Sequence, residues 1–260
     1  MNTKPLWIIL IIILGLTSCA SKQPSPNLCA SVCDGLVAFY PFYGDASDKS
    51  GNGKDGQVVG ASLTKDRNGY PNHAYRFEGG HVLIPNPDNF LDGSFSLVAN
   101  TKLNYIPDVS SGFQEVGIFV AEFRYHGISY RIFPNNTQKV MVTLREPSGG
   151  SATRVVQAVQ QIRNPKSFHH FVAVADAGKK TLRLYVDGKF KQQVKWTGKI
   201  AASKAAEKNW ALGKMYPKES GWEKRVLNGD IDEVRLYNRA LSAKEVKELY
   251  LFSSAFPPAE

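Results

Sequence analysis

Beyond residue 35 the chain alternates short apolar runs with clusters of Gly, Asn, Asp and Pro. The runs fall at residues 36–42, 75–77, 82–84, 117–123, 140–144, 171–175 and 181–186, punctuated by Asn52-Gly53, Asn68-Gly69, Asp92-Gly93 and Asp187-Gly188. Many short strands at such spacing predict an all-β fold, an antiparallel sandwich or jelly roll. One hairpin is explicit. In Thr181-Leu-Arg-Leu-Tyr-Val186, Leu182, Leu184 and Val186 share one face, while Arg183 and Tyr185 share the other. Asp187-Gly188 supplies the positive φ values of a type I′ turn, and residues 189–194 return. Only the C-terminal end carries a helical signal. Ser242-Ala-Lys-Glu245 is a capping box, Leu241 and Val246 stand at the staple positions, and Ala243, Val246, Leu249 and Tyr250 mark one face. A strand at residues 231–237 runs directly into this helix. No second copy of these elements occurs, so residues 35–255 read as one domain.

The N-terminal end has a different texture. Lys4 precedes an unbroken apolar run at residues 6–16. With a rise of about 1.5 Å per residue it is too short for a roughly 30 Å hydrocarbon core, but it has the length of a signal-peptide core. Leu16-Thr17-Ser18-Cys19 follows and looks like the lipobox read by lipoprotein signal peptidase. Residues 1–18 are therefore expected to be a lipoprotein signal peptide, with Cys19 the lipidated residue and the bilayer a partner through its acyl chains. Ala20 stands where an inner-membrane retention signal would usually place Asp, which by resemblance to sorted lipoproteins favours the outer membrane. Residues 19–34, rich in Ser, Pro and Ala, read as a tether. With Cys19 lipidated, Cys29 and Cys33 remain, and an even pair in an oxidising compartment reads as a short disulfide staple, with two free thiols as the alternative.

Composition narrows the choice of partners. A net charge of +9 directs attention to acidic partners. No run of five Lys or Arg and no DNA- or RNA-binding signature occurs, so no nucleic acid is expected. Trp7 lies in the signal segment, and the other three tryptophans, Trp196, Trp210 and Trp222, all fall within residues 195–225. That window holds seven lysines and Arg225 against Glu207, Glu219 and Glu223. Rings stack on sugar C–H surfaces while lysines bind carboxylate or sulfate, so the window suits a glycan. Trp210 and Trp196 read as core residues. Trp222 reads as a loop aromatic, and with Lys218 and Lys224 it forms the candidate ligand site.

Four blocks carry a family resemblance. They are Gly35-Leu-Val-Ala-Phe-Tyr-Pro-Phe-Tyr-Gly44 with Asp48-Lys-Ser-Gly-Asn-Gly53; Ala74-Tyr-Arg-Phe-Glu-Gly79; residues 170–189 with Leu-Tyr-Val-Asp-Gly; and Gly229-Asp-Ile-Asp-Glu-Val-Arg-Leu-Tyr-Asn-Arg-Ala-Leu-Ser242. Their order resembles bacterial laminin-G-like domains of the concanavalin A-like lectin/glucanase superfamily. The resemblance implies a jelly-roll β-sandwich with a short C-terminal helix. Two departures stand out: Phe95-Ser-Leu-Val-Ala is all that remains of a strand that bears Trp in many relatives, and residues 195–225 are longer and more basic than the usual connection.

Relatives with this jelly roll often hold a structural ion between the first loop and the closing strand. Carried over, a calcium site would use Asp48, Asn52 and Asp232, with Asp45 in support. The alternative is a tight turn in which Asp48 caps amides. Catalysis is not expected. The nearest match to the paired carboxylates of glucanases is Asp230-Ile-Asp232-Glu233, and neighbours on a strand point to opposite faces, so Asp232 and Glu233 cannot share a site without a bulge. His169 and His170 likewise diverge. The expected function is non-catalytic ligand binding at the cell envelope, with a glycan as ligand. The alternatives are a protein-contact, adhesion or assembly module, or a polysaccharide hydrolase or lyase.

Overall fold

The computed structural model describes residues 32–85, 90–110, 114–121, 126–134, 137–147, 153–198, 209–214 and 226–252. Cys19, Cys29 and the predicted signal segment lie outside them, and so does the 215–225 stretch that holds Lys218, Trp222 and Lys224. Among the described residues no helix is long and apolar enough to cross a membrane.

Two antiparallel sheets form a sandwich. The first runs β13 (Lys189–Lys195), β12 (Thr181–Val186), β11 (His169–Asp176), β6 (Phe95–Leu103), β15 (Asn228–Tyr237), β4 (Ala74–Glu78) and β3 (Ser62–Thr64). β1 (Leu36–Tyr40) pairs with the end of β15 beyond β4. The second runs β10 (Thr153–Ile162), β9 (Thr137–Pro147), β8 (His126–Phe133), β7 (Gln114–Ala121), β14 (Asn209–Leu212), β5 (His81–Pro85) and β2 (Gln57–Val59). Period-two alternation sends Phe95, Leu97, Ala99, Phe171, Ala173, Leu182, Leu184, Ile231, Val234 and Leu236 inward from the first sheet. They meet Ile84, Ile118, Ile128, Tyr130, Val142 and Trp210 of the second. Trp210, 1 % exposed, sits edge-on to Phe90 and Phe119, and Trp196 is buried in the same cluster, so both are core residues as expected.

The predicted hairpin is present. Asp187 and Gly188 have φ values of 52° and 69°, which close β12 onto β13. The capping box also forms: Glu245 N–H donates to Ser242 Oγ at 3.2 Å, and Ser242 N–H donates to Glu245 Oε2 at 2.8 Å. It starts α1 (Ala243–Phe252), which packs Leu241, Val246 and Leu249 against the outer face of the first sheet. Each of those side chains contributes roughly 1.5–3 kcal/mol by leaving water. Ala243, expected on that face, is exposed.

β6 is longer than its apolar residues suggest. It continues through Asn100, Thr101 and Lys102 to Leu103, and it is central, paired with β11 on one side and β15 on the other. Asn100 is met by Glu233 of β15 and by Arg67 of the 64–69 loop, and Lys102 by Asp230 of β15, while the Thr101 hydroxyl is buried without a hydrogen-bond partner.

Candidate functional site

On the outer face of the first sheet, side chains form rows that cross β11, β6 and β15. Backbone register puts Val172, Val98 and Arg235 in one row, His170, Asn100 and Asp232 in the next, and Lys102 beside Asp230 in the third. Arg76 of β4 continues that third row, and Lys102 Nζ lies 5.2 Å from the Phe168 ring. α1 covers the apolar end of the face. The third row is open to water and floors a cleft of about 720 Å³.

The cleft is walled by the 64–69 loop on one side, by Lys166, Ser167, Phe168 and His169 on another, and by Tyr250 of α1. Asp66 holds the first wall, accepting from Asn68 N–H at 2.8 Å and Tyr70 N–H at 2.9 Å. From that loop Arg67 donates to Asn100 Oδ1 at 3.0 Å and to the Tyr250 carbonyl at 3.4 Å, tying loop, sheet and helix together. The second wall is held by Leu103 N–H, which donates to the Pro165 carbonyl at 2.7 Å.

Asp230 organises the floor. Its side chain is 1 % exposed, and it receives Arg76 Nε at 3.0 Å, Lys102 Nζ at 3.1 Å and Asn104 Nδ2 at 2.6 Å. The hydrogen bond and charge of Asp230 raise the Arg76 pKa above its ordinary value. Close strand approach makes this possible, since a Cβ on Gly229 would fall 2.2 Å from the Lys102 carbonyl oxygen. On the wall, both His169 ring nitrogens face acceptors, Asp187 Oδ2 at 2.9 Å and the Asn164 carbonyl at 2.8 Å. Burial pulls the His169 pKa down, but these two acceptors outweigh it and the net shift is upward.

Behind the cleft lies a buried polar row. Between Asp232 and Arg235, β15 has one residue more than β6 opposite, and Glu233 adopts φ 54°. This is the bulge that strand alternation alone excludes. It turns Glu233 to the same side as Asp232, where Asn100 Nδ2 donates to it at 3.3 Å and Arg235 pairs with it. Burial, then the charges of Glu233 and Asp66, push the Asp232 carboxyl well above its ordinary value. His170 is buried with neither ring nitrogen hydrogen-bonded, and burial lowers its pKa to about 3. Neither Asp232 nor Glu233 lines the cleft.

The predicted calcium ligands do not converge. Asp48 Oδ1 accepts from Phe39 N–H and Ser50 N–H, both at 2.9 Å, and Oδ2 accepts from Ser50 Oγ at 2.9 Å and Lys54 N–H at 3.1 Å. Four donors take up the lone pairs a cation would need. Asn52 Nδ2 donates to the Leu36 and Val37 carbonyls, and Asp45 accepts from Ser47 N–H while pairing with Lys49. Asp232 sits instead with Glu233 and Arg67. Among the described residues, no group of three or more His, Cys, Asp or Glu could hold a metal ion. The loop is the Asx-capped turn, and this donor set does not fit calcium. Lys218, Trp222 and Lys224 lie outside the described residues, as do Cys19 and Cys29.

Arg76, Lys102 and Phe168 belong to no ligand-binding sequence motif. The available signal was position parity: Asn100 and Lys102 alternate with inward Ala99, Thr101 and Leu103, so they share an outward face with Asp230.

No sequence relative is found among curated proteins. Domain 4 of AbnA, an extracellular GH43 arabinanase from Geobacillus stearothermophilus solved with arabinotriose, superposes with a TM-score of 0.57 at 22% identity, covering 83% of this chain and 98% of that one. The binding domain of Botulinum neurotoxin DC, in complex with SialylT, gives a TM-score of 0.59 at 15% identity over 85% of this chain. The same domain with rat synaptotagmin II gives 0.61 at 15% identity. This chain spans 52% of each of those two neurotoxin chains. These likenesses are of fold. The Laminin_G_3 family profile matches residues 77–247, from the end of β4 through the first half of α1. A two-sheet sandwich closed by β15 and α1, matched over most of its length, makes this chain a member of the concanavalin A-like lectin/glucanases superfamily.

Proposed function

We propose that this chain is a lipid-anchored cell-envelope protein whose sandwich binds carbohydrate, without transforming it, in the cleft on the outer face of the first sheet. One observation carries the reading. The cleft sets Phe168 and Tyr250 beside fixed polar groups, Arg76, Lys102 and His169 on strands and Asp187 in the tight turn between β12 and β13. Rings to cover sugar C–H faces and rigid donors to orient hydroxyls are what a sugar site requires. The arabinanase domain solved with arabinotriose supports the ligand class. The non-catalytic reading is supported by the state of the acids. Asp230, Asp187 and Asp66 are all held by donors, and the Asp232–Glu233 pair does not line the cleft. An anchor at Cys19 and a Cys29–Cys33 disulfide belong to the same proposal and rest on the sequence.

A glycan array probed with the wild-type chain and with Phe168→Ala tests the reading. Loss of an aromatic anchor commonly costs about 1–3 kcal/mol of binding, so the variant is expected to bind roughly tenfold or more weakly at an unchanged melting temperature. Release of reducing sugar by the wild type would restore the hydrolase alternative. A blank array would favour protein contact, for which the exposed Val58 and Val59 on edge strand β2 offer one apolar surface among the described residues.

A further inference from the structure

The cleft has more positive charge than its own carboxylates can satisfy. Lys65, Arg76, Lys102 and Lys166 line it, against Asp66, Asp187 and Asp230, while Arg67, also in the lining, is tied to Asn100 and Tyr250 and lies beside the buried Asp232. Each carboxylate is already engaged. Asp66 caps its own loop, Asp187 is shared between the His169 ring and the His170 N–H, and Asp230 is enclosed by three donors. The floor is the decisive part. One buried carboxylate there holds two cations side by side, and both remain open to the cleft, with side chains 39% exposed for Arg76 and 26% for Lys102. Asp230 thus fixes the spacing and direction of a pair of positive groups while hiding its own charge beneath them. Lys65 and Lys166 stand exposed on opposite walls, with no ion-pair partner among the described residues. A fixed pair of cations in a concave site, with free cations at its rim, is built to receive an anion.

Building on the carbohydrate reading above, we infer that the ligand is an acidic glycan. Its carboxylate or sulfate group seats between Arg76 and Lys102, its ring lies against Phe168, and Lys65 and Lys166 attract further acidic units along the chain. Asp230 is a positioning residue.

The test uses the purified full chain and an array that sets uronic-acid, sialic-acid and sulfated oligosaccharides beside their neutral parents. Acidic members are expected to bind at least tenfold more tightly than the neutral parents, with the difference shrinking as salt rises. The Lys65→Glu/Lys166→Glu pair should remove at least tenfold of that affinity without lowering the melting temperature. Lys191→Glu/Lys195→Glu on exposed edge strand β13 makes the same change of net charge away from the cleft and should leave binding as it is. Equal binding of acidic and neutral sugars would overturn the acidic class and leave the carbohydrate reading standing. An array with no binding at all would overturn both. Equal weakening by the two lysine pairs would show attraction by overall charge, and the cleft would lose its role. If glycerol phosphate displaces the oligosaccharides at equal concentration, the cleft reads charge rather than sugar, and the acidic-glycan assignment falls.

Discussion

The outer face of the first sheet is two surfaces made from the same strands. At one end, Val98, Val172, Val174, Tyr185 and Tyr237 lie under Leu241, Val246 and Leu249 and form a second apolar cluster. Two to four residues further along β6 and β11, and five to seven along β15, the outward positions are Asn100 and Lys102 on β6, His170 on β11, and Asp232 and Asp230 on β15. The transition passes through a buried polar row before it reaches the open cleft. Backbone geometry is the same throughout, so the difference lies in what covers each end. A helix with an apolar stripe covers one, and water reaches the other. The helix-covered end is expected to carry stability, and the open end to carry recognition.

That division can be broken most forcefully from the covered end. Leu241→Ala removes a fully buried side chain whose neighbours are fixed by the capping box and by the sheet. It is expected to cost about 2–4 kcal/mol, the usual range for a large-to-small change in a packed site. For a domain of this size that corresponds to a fall of roughly 5–15 °C in melting temperature. Binding by the fraction still folded should be unchanged, since Leu241 does not line the cleft. Calorimetry and a binding titration on one sample check both halves. A loss of affinity equal to the loss of stability would show that the two ends are not separable.

The open end should respond more weakly. Asp230→Asn keeps the shape but removes the charge that Arg76 and Lys102 share. Loss of one partner from a fully buried pair can cost about 3–5 kcal/mol, but both cations here reach water, and about 1–2 kcal/mol is expected. Thermal melts near neutral pH measure it. A cost as large as that of Leu241→Ala would place the floor of the cleft in the core rather than at a solvated site.

The sequence exposed these two ends unequally, for a physical reason. Apolar alternation and local hydrogen-bond chemistry are short-range, so the Asp187-Gly188 turn, the Ser242–Glu245 capping box and the core roles of Trp196 and Trp210 were all legible. The cleft was not. Arg76, Lys102, Phe168 and Asp230 come from four separate strands or loops, and only sheet order places them in one row. Asn100 and Lys102 interrupt the apolar pattern of β6 and hide its full length, although those residues give the strand its role in the site. The Asp48 loop shows the converse. Side-chain oxygens at alternate positions have the pattern of an ion loop, but in the fold Asp48 spends them on Phe39, Ser50 and Lys54. The bulge at Glu233 had no local signal at all, since it lies in an acidic run that strand alternation would place on opposite faces.

The mildest test bears on the boundary between the two ends. Asp232 lies two residues from Asp230 on the same outward face, yet the two should answer the same substitution with opposite signs. Asp230 sits among cations. Asp232 is buried beside Glu233 and Asp66, and its carboxyl is raised well above the ordinary 3.8. The folded state therefore binds a proton on Asp232 more readily than the unfolded chain does. Its contribution to stability is fully present below the unfolded pKa and is lost as pH rises from there through the raised folded value. Asn at this position is neutral at every pH and retains an oxygen to accept the Arg67 backbone N–H that Asp232 accepts. Asp232→Asn is thus expected to raise the melting temperature at about pH 8, where the wild type has lost the benefit of the proton. The gain should vanish near pH 4. Melting curves of the wild type, Asp232→Asn and Asp230→Asn across that range give the comparison directly. If Asp232→Asn destabilises at both ends of the range, the nearby arginines hold Asp232 as a charged partner. The buried row would then belong with the ion-paired floor of the cleft rather than with the strained boundary behind it.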